Sequence, residues 1–381
     1  MSTLFENATL LDADGETPAT WLRIDDDAIV ARGTGDPGDA ATGAERVDLA
    51  GARLTPGFLD LHGHGGGGFG FDDGPEAIRS ALATHRAHGT TRSVISLVAN
   101  PIEKLTAGLR GVRELAAADP LVLGSHLEGP FLAVRRRGAH AEEFLQAPDP
   151  ETVETLLEAG DGTIRQITLA PELPGALGTI DRFVEAGVVV AVGHTEVDYD
   201  RARSAFDHGA RLLTHAFNAM PGIQHRDPGP LVAAFDDDRV TIEIVADGIH
   251  VHPGVLQLTF RAAPRRVALV TDGMAAAGGG DGFFKIGSLN VTVTGGRAVL
   301  NGTDTLAGST LTQDVALRTA VQAGVPAVEA VTALTRTPAA VLGLEDRLGR
   351  LQPGYAADLV VIDEDWRVRG VWAAGERVPA A

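Results

Sequence analysis

Cysteine is absent from the 381-residue chain. That removes disulfides, thiolate metal ligands and a cysteine nucleophile, and leaves His, Asp and Glu as the strong side chains for holding a metal. Lysine occurs only at Lys104 and Lys285, so the cations are nearly all arginine, a usage that reads as genome bias rather than function. An excess of positive charge is missing as well. The formal net charge of -19 argues against general nucleic-acid binding, which needs a basic face to displace counterions from phosphates; its plain meaning is solubility. No uncharged apolar run reaches the roughly 18 residues of a membrane span. The opening residues Met1-Ser2-Thr3-Leu4-Phe5-Glu6 carry neither the basic nor the apolar block of a secretion signal, so a cytoplasmic location is expected. Internal repeats are lacking, and low complexity is confined to the glycines at 65–68.

What is present is a globular composition, 44% hydrophobic and 22% charged, long enough to bury a large core. Eight short apolar β-type runs recur at 59–64, 91–97, 121–126, 164–169, 187–193, 211–215, 241–246 and 267–271. Runs such as Val188-Val189-Val190-Ala191-Val192 suit strands buried on both faces, as parallel strands are. Helical segments fall between them, at 75–88, 148–159 and 199–208, some opened by a proline suited to a first turn. The spacing predicts an α/β fold, a (β/α)8 TIM-type barrel.

Residues 1–54 break the rhythm with strand-like pieces at 21–24 and 28–31 and turns rich in Asp and Gly. After helical stretches at 310–323 and 327–342, β character returns at 358–363 and 367–372. Both chain ends are therefore expected to build a small β-sandwich domain (1–54 and 346–381) around a barrel at 55–345. A hairpin over 283–300 is expected after the eighth strand.

His62-Gly63-His64 ends the first barrel run, where a period of two puts both imidazoles on one face. Further candidates stand at the same end of other runs: Glu128, His194, His215, His250 and Asp272, where barrels of this kind place functional residues. Each alone has a plain explanation, Glu128 as a helix cap, His194 and His215 as packing, Asp272 as a turn residue. Coincidence at six strand ends is a weaker account than a metal site.

The strings Pro56-Gly57-Phe58-Leu59-Asp60-Leu61-His62-Gly63-His64, His126-Leu127-Glu128-Gly129-Pro130-Phe131, Gly193-His194-Thr195, Thr214-His215-Ala216-Phe217-Asn218-Ala219-Met220 and Val270-Thr271-Asp272-Gly273 together resemble the amidohydrolase superfamily. More narrowly they are similar to its N-acetylglucosamine-6-phosphate deacetylase branch. The resemblance covers the barrel and reaches the tail at 349–363. It implies that Glu128, His194 and His215 hold a principal divalent metal, zinc above all, with iron, manganese or cobalt as alternatives. His62 and His64 then offer a second position bridged by Glu128, with Asp272 beside the metals, so one or two ions per subunit are expected. A carboxylated lysine, which bridges the metals in many superfamily members, has no counterpart, since neither Lys104 nor Lys285 lies on the fourth strand.

The implied reaction is hydrolysis of an acetamide by metal-bound hydroxide, giving acetate and an amine, with Asp272 as general base and then acid. His140 is implied to support the carbonyl oxygen. Arg226 and His250 are implied to bind the phosphate of an amino-sugar phosphate, with the amides of Asn218 and Ala219 as neutral donors. Ala139, Asp247, Gly248, Ile249, Leu306, Ala307 and Gly308 match further substrate loops. The arginine is commonly lent by a neighbouring subunit, which implies a homodimer. Plain alternatives are an exposed loop histidine for His140, a surface pair with Asp227 for Arg226, and a lid surface for Arg135-Arg136-Arg137. At the level of the whole chain the alternatives are a different N-acyl substrate or a binding scaffold without turnover.

Overall fold

In a computed structural model describing residues 2–379, the eight apolar runs form one parallel sheet whose hydrogen-bonded order follows the chain. The strands are β1 (Phe58–Asp60), β2 (Thr90–Val98), β3 (Val122–Glu128), β4 (Ile164–Leu169), β5 (Val189–Val192), β6 (Leu212–Leu213), β7 (Thr241–Val245) and β8 (Val267–Val270). They are buried because both faces are covered: Val190, Ile244 and Leu269 are wholly inaccessible, and helices such as Pro75–Ala87, Pro150–Gly160 and Tyr199–Asp207 wrap the outer face.

Contacts between the ends of β1 and β8 close the ring. The Asp272 N–H donates to the His62 carbonyl at 2.8 Å and the His64 N–H to the Gly273 carbonyl at 2.7 Å, while the Thr271 hydroxyl donates to Asp60 Oδ2 at 2.6 Å. The first strand is shorter than expected. His62 and His64 lie just past it, held by the seam rather than by the ladder.

The helix expected over 327–342 is two helices, Ala327–Leu334 and Arg336–Val341, broken at Thr335. Pro338 explains the break. In a continuous helix it would lack the N–H for the Leu334 carbonyl and its ring would clash there, whereas in the first turn of a new helix no donor is required.

Both chain ends meet in a second, eight-stranded sheet. Leu359–Ile362 from the C-terminal side pairs antiparallel with Arg53–Pro56 from the N-terminal side. Its core includes Phe5, Leu22, Ile24, Leu54, Leu359 and Trp372, with Phe5 edge-on to Trp372 at 4.8 Å. The hairpin expected near 283–300 carries a third strand: Gly282–Ile286, Leu289–Thr294 and Arg297–Leu300 pair in that order. The last reversal is set by Gly295 and Gly296, both at positive φ, as a tight hairpin turn requires.

Candidate active site

The strand ends of one rim deliver the candidate ligands. Glu128 ends β3, His194 follows β5, His215 follows β6 and Asp272 follows β8. The backbone at His194, His215 and Asp272 has positive φ, at 47°, 25° and 46°. A non-glycine residue held there costs on the order of 1–3 kcal/mol, a strain that concentrates at functional sites. All of these residues are buried, none above 8% exposed.

Two sets of three ligand atoms form, Glu128 with His194 and His215, and His62 with His64 and Asp272, each within 4.8 Å. Glu128 ties them together. Its Oε1 lies 3.1 Å from His194 Nε2 and 3.2 Å from His215 Nε2, and 3.3 Å from His62 Nε2. Its Oε2 lies 3.1 Å from His64 Nε2. Asp272 Oδ1 is 3.4 Å from His64 Nε2 and 3.7 Å from His62 Nε2.

The residues present fit divalent cations. His194 Nδ1 donates to the Arg136 carbonyl at 2.7 Å, which leaves Nε2 with its lone pair. That atom faces His215 Nε2 at 2.9 Å. Two ring nitrogens turned toward each other beside a carboxylate oxygen are a donor set that a divalent cation accepts. His64 and His215 have no partner at Nδ1 among the described residues, so what orients them lies on the Nε2 side.

Electrostatics agree. Burial opposes charge on His62 and His64, yet Glu128 and Asp272 outweigh it and push both imidazoles above their usual range. Burial likewise opposes ionisation of Glu128, but the surrounding His62, His140 and His194 hold its carboxyl well below the usual carboxylate range. A place that draws positive charge onto imidazoles is a place for a cation.

His140 is buried at 4% exposure, which removes the exposed-loop alternative. Its Nδ1 accepts from the Ala99 N–H at 3.2 Å, so the ring proton sits on Nε2, 3.2 Å from Glu128 Oε2. A donor therefore points into the ligand cluster.

A cavity of about 830 Å3 opens above the ligands, and Ala139, His140, Asn218, Ala219, His250, Leu306 and Gly308 line it. Asp247 stands behind His250, accepting its Nδ1 proton at 2.7 Å. Burial works against both charges of this pair, but each partner overrides it for the other, lowering Asp247 and raising His250. Ala307 is fully buried, and Gly248 and Ile249 form an exposed turn. Arg226 lies in the exposed segment 222–227, outside its own chain's cavity.

Arg135, Arg136 and Arg137, expected as a lid surface, line the cavity. Three residues escaped the sequence reading. His126, wholly buried, stands edge-on to His62 at 4.7 Å and bonds to Ser96 and Thr168. Glu243 and Gln166 are also wholly buried. A Glu between isoleucines inside an expected strand, in Thr241-Ile242-Glu243-Ile244-Val245, was the available signal.

Fold and clustered side chains together define an α/β barrel whose rim carries two candidate metal-binding groups. The amidohydrolase family profile matches residues 53–378. The N-acetylgalactosamine-6-phosphate deacetylase of Escherichia coli O157:H7 is 35% identical over 373 residues, covering 96% of this chain and 97% of its own. The human N-acetylglucosamine-6-phosphate deacetylase is 37% identical over 350 residues, covering 88% and 85%. A solved structure of Mycobacterium smegmatis N-acetyl-D-glucosamine-6-phosphate deacetylase in complex with N-acetyl-D-glucosamine-6-phosphate superposes with a TM-score of 0.94 at 43% identity, covering 99% of each chain. The chain belongs to the amidohydrolase family, in its N-acetylglucosamine-6-phosphate deacetylase branch.

Proposed function

We propose that this enzyme hydrolyses the acetamide of N-acetylglucosamine 6-phosphate, releasing acetate and glucosamine 6-phosphate, with divalent metal held by Glu128, His194 and His215 and a second position at His62, His64 and Asp272. The observation that carries the reading is the convergence of both ligand sets on one carboxylate, beside a histidine donor and an aspartate, at the floor of one cavity. A carboxylate with two imidazoles suits zinc best, and iron, manganese or cobalt also accept it. The bound ion supplies Lewis acidity at neutral pH.

The chain's own groups do the rest. His140 Nε2–H donates to the acetamide oxygen as negative charge develops there, an interaction worth most in a buried site. Asp272 takes the proton of the attacking water and returns it to the nitrogen, because an unprotonated amine leaves poorly. Around the sugar phosphate, His250 is oriented by Asp247, the Asn218 and Ala219 amides add neutral donors, and Arg135 and Arg136 offset the negative net charge. Arg226, exposed and outside its own chain's cavity, serves in this reading the neighbouring subunit of a homodimer. A cytoplasmic enzyme is the matching location.

The E. coli O157:H7 relative favours a second substrate, the galacto epimer carrying the same phosphate and acetamide. Steady-state acetate release from N-acetylglucosamine, its 6-phosphate and N-acetylgalactosamine 6-phosphate tests the reading. The expected order puts N-acetylglucosamine 6-phosphate first and the unphosphorylated sugar last; equal rates with and without phosphate contradict the phosphate pocket.

A further inference from the structure

Glu243 is a fully buried carboxylate that belongs to neither ligand set, yet touches both. It projects from β7 into the barrel beneath the cation layer. Its Oε2 is 3.1 Å from His62 Nδ1 and accepts the backbone N–H of His215 at 3.3 Å. Its Oε1 accepts from Gln166 Nε2 at 2.9 Å. Each oxygen thus faces an amide donor, and the carboxyl acts as acceptor on both sides.

We infer that Glu243 is the positioning residue behind the second metal position: by accepting the Nδ1–H of His62 it fixes the tautomer in which Nε2 is a ligand and makes that nitrogen a stronger donor to a metal. The inference rests on the two-position reading above. The comparison between the sets sharpens it. In the first set, His194 has its tautomer fixed by a neutral carbonyl, that of Arg136, and does not touch Glu243. In the second, His64 has no Nδ1 partner among the described residues, so only His62 is oriented from behind. Removing the charge at Glu243 therefore strikes the second position and spares the first.

The local arrangement tolerates the conservative test. In Glu243→Gln the new carbonyl still accepts from His62, and Gln166, whose Oε1 has no partner, turns its amide to accept from the new NH2. Outer carboxylates behind a ligating histidine typically contribute about 10–100-fold in metal affinity.

The test is competitive zinc titration of metal-stripped full-length protein, read as equivalents bound per subunit and as two dissociation constants. Thermal melting of the stripped protein is measured alongside. The expected result is two equivalents for the natural sequence. In Glu243→Gln the weaker site should lose about 10–100-fold, with the tighter site and the melting temperature unchanged. Two unchanged sites in the variant, or equal weakening of both, overturns the role of Glu243 and leaves the two-position reading standing. A single equivalent in the natural sequence overturns both.

Discussion

The two ligand sets are made differently. Glu128, His194 and His215 come from β3, β5 and β6 on one arc of the ring, each at a strand end, with His194 pinned to the backbone of the 133–144 loop. His62, His64 and Asp272 straddle the seam between β1 and β8, where main-chain bonds and the Asp60 to Thr271 contact replace the ladder. The first set is thus anchored by continuous sheet. The second depends on a closure held by a few main-chain bonds and the Asp60 to Thr271 contact, and on Glu243 behind His62. The lesson is that two similar triads on one rim need not be equally robust: the difference lies in what stands behind the ligands.

The sharpest way to break the comparison is at the residue both sets share. Glu128→Gln should abolish metal retention in both and reduce acetate release by at least about 10⁴-fold, beyond one general acid–base contribution; metal analysis and steady-state rates check it. Asp272→Asn touches only the seam set. It should fold normally and lose about 10²–10⁴-fold in kcat while the first ion stays bound. His140→Ala removes the donor that serves the substrate carbonyl, with an expected loss of about 10²–10³-fold in kcat and little change in metal content.

The smallest effect concerns pH. His250 is raised above its usual range despite burial, through Asp247. Its charged form therefore contributes fully below the unfolded value of 6.5 and is lost as pH rises through the raised value. Asp247, also despite burial, is lowered by His250, so its contribution is present above 3.8 and fades only in acid below that. KM for the phosphorylated sugar should accordingly increase as pH climbs past 6.5. Asp247→Asn should move that rise to lower pH, visible in a KM profile with kcat largely kept.

Much of this was legible in the chain. Ile164–Leu169 coincides with its expected run because an apolar β-branched stretch bounded by turns admits little else. The clustering of the candidate ligands was legible because each stands at or just past the end of such a run, and sidedness follows from the strand period. Other features were harder to read. The helix break at Thr335 follows from Pro338, a local signal that the apolar pattern obscured. The third strand after Gly295 and Gly296 has too few residues to announce itself. Glu243, Gln166 and His126 sit within β strands whose run character reads as core, and only a closed barrel turns their side chains toward the metal layer.

The account stands on two cation positions sharing Glu128. Crystals soaked in zinc and measured across the zinc absorption edge test this most directly. Two anomalous peaks are predicted, one among Glu128, His194 and His215 and one among Glu128, His62, His64 and Asp272. No peak at either place, or zinc bound only elsewhere on the molecule, would contradict it.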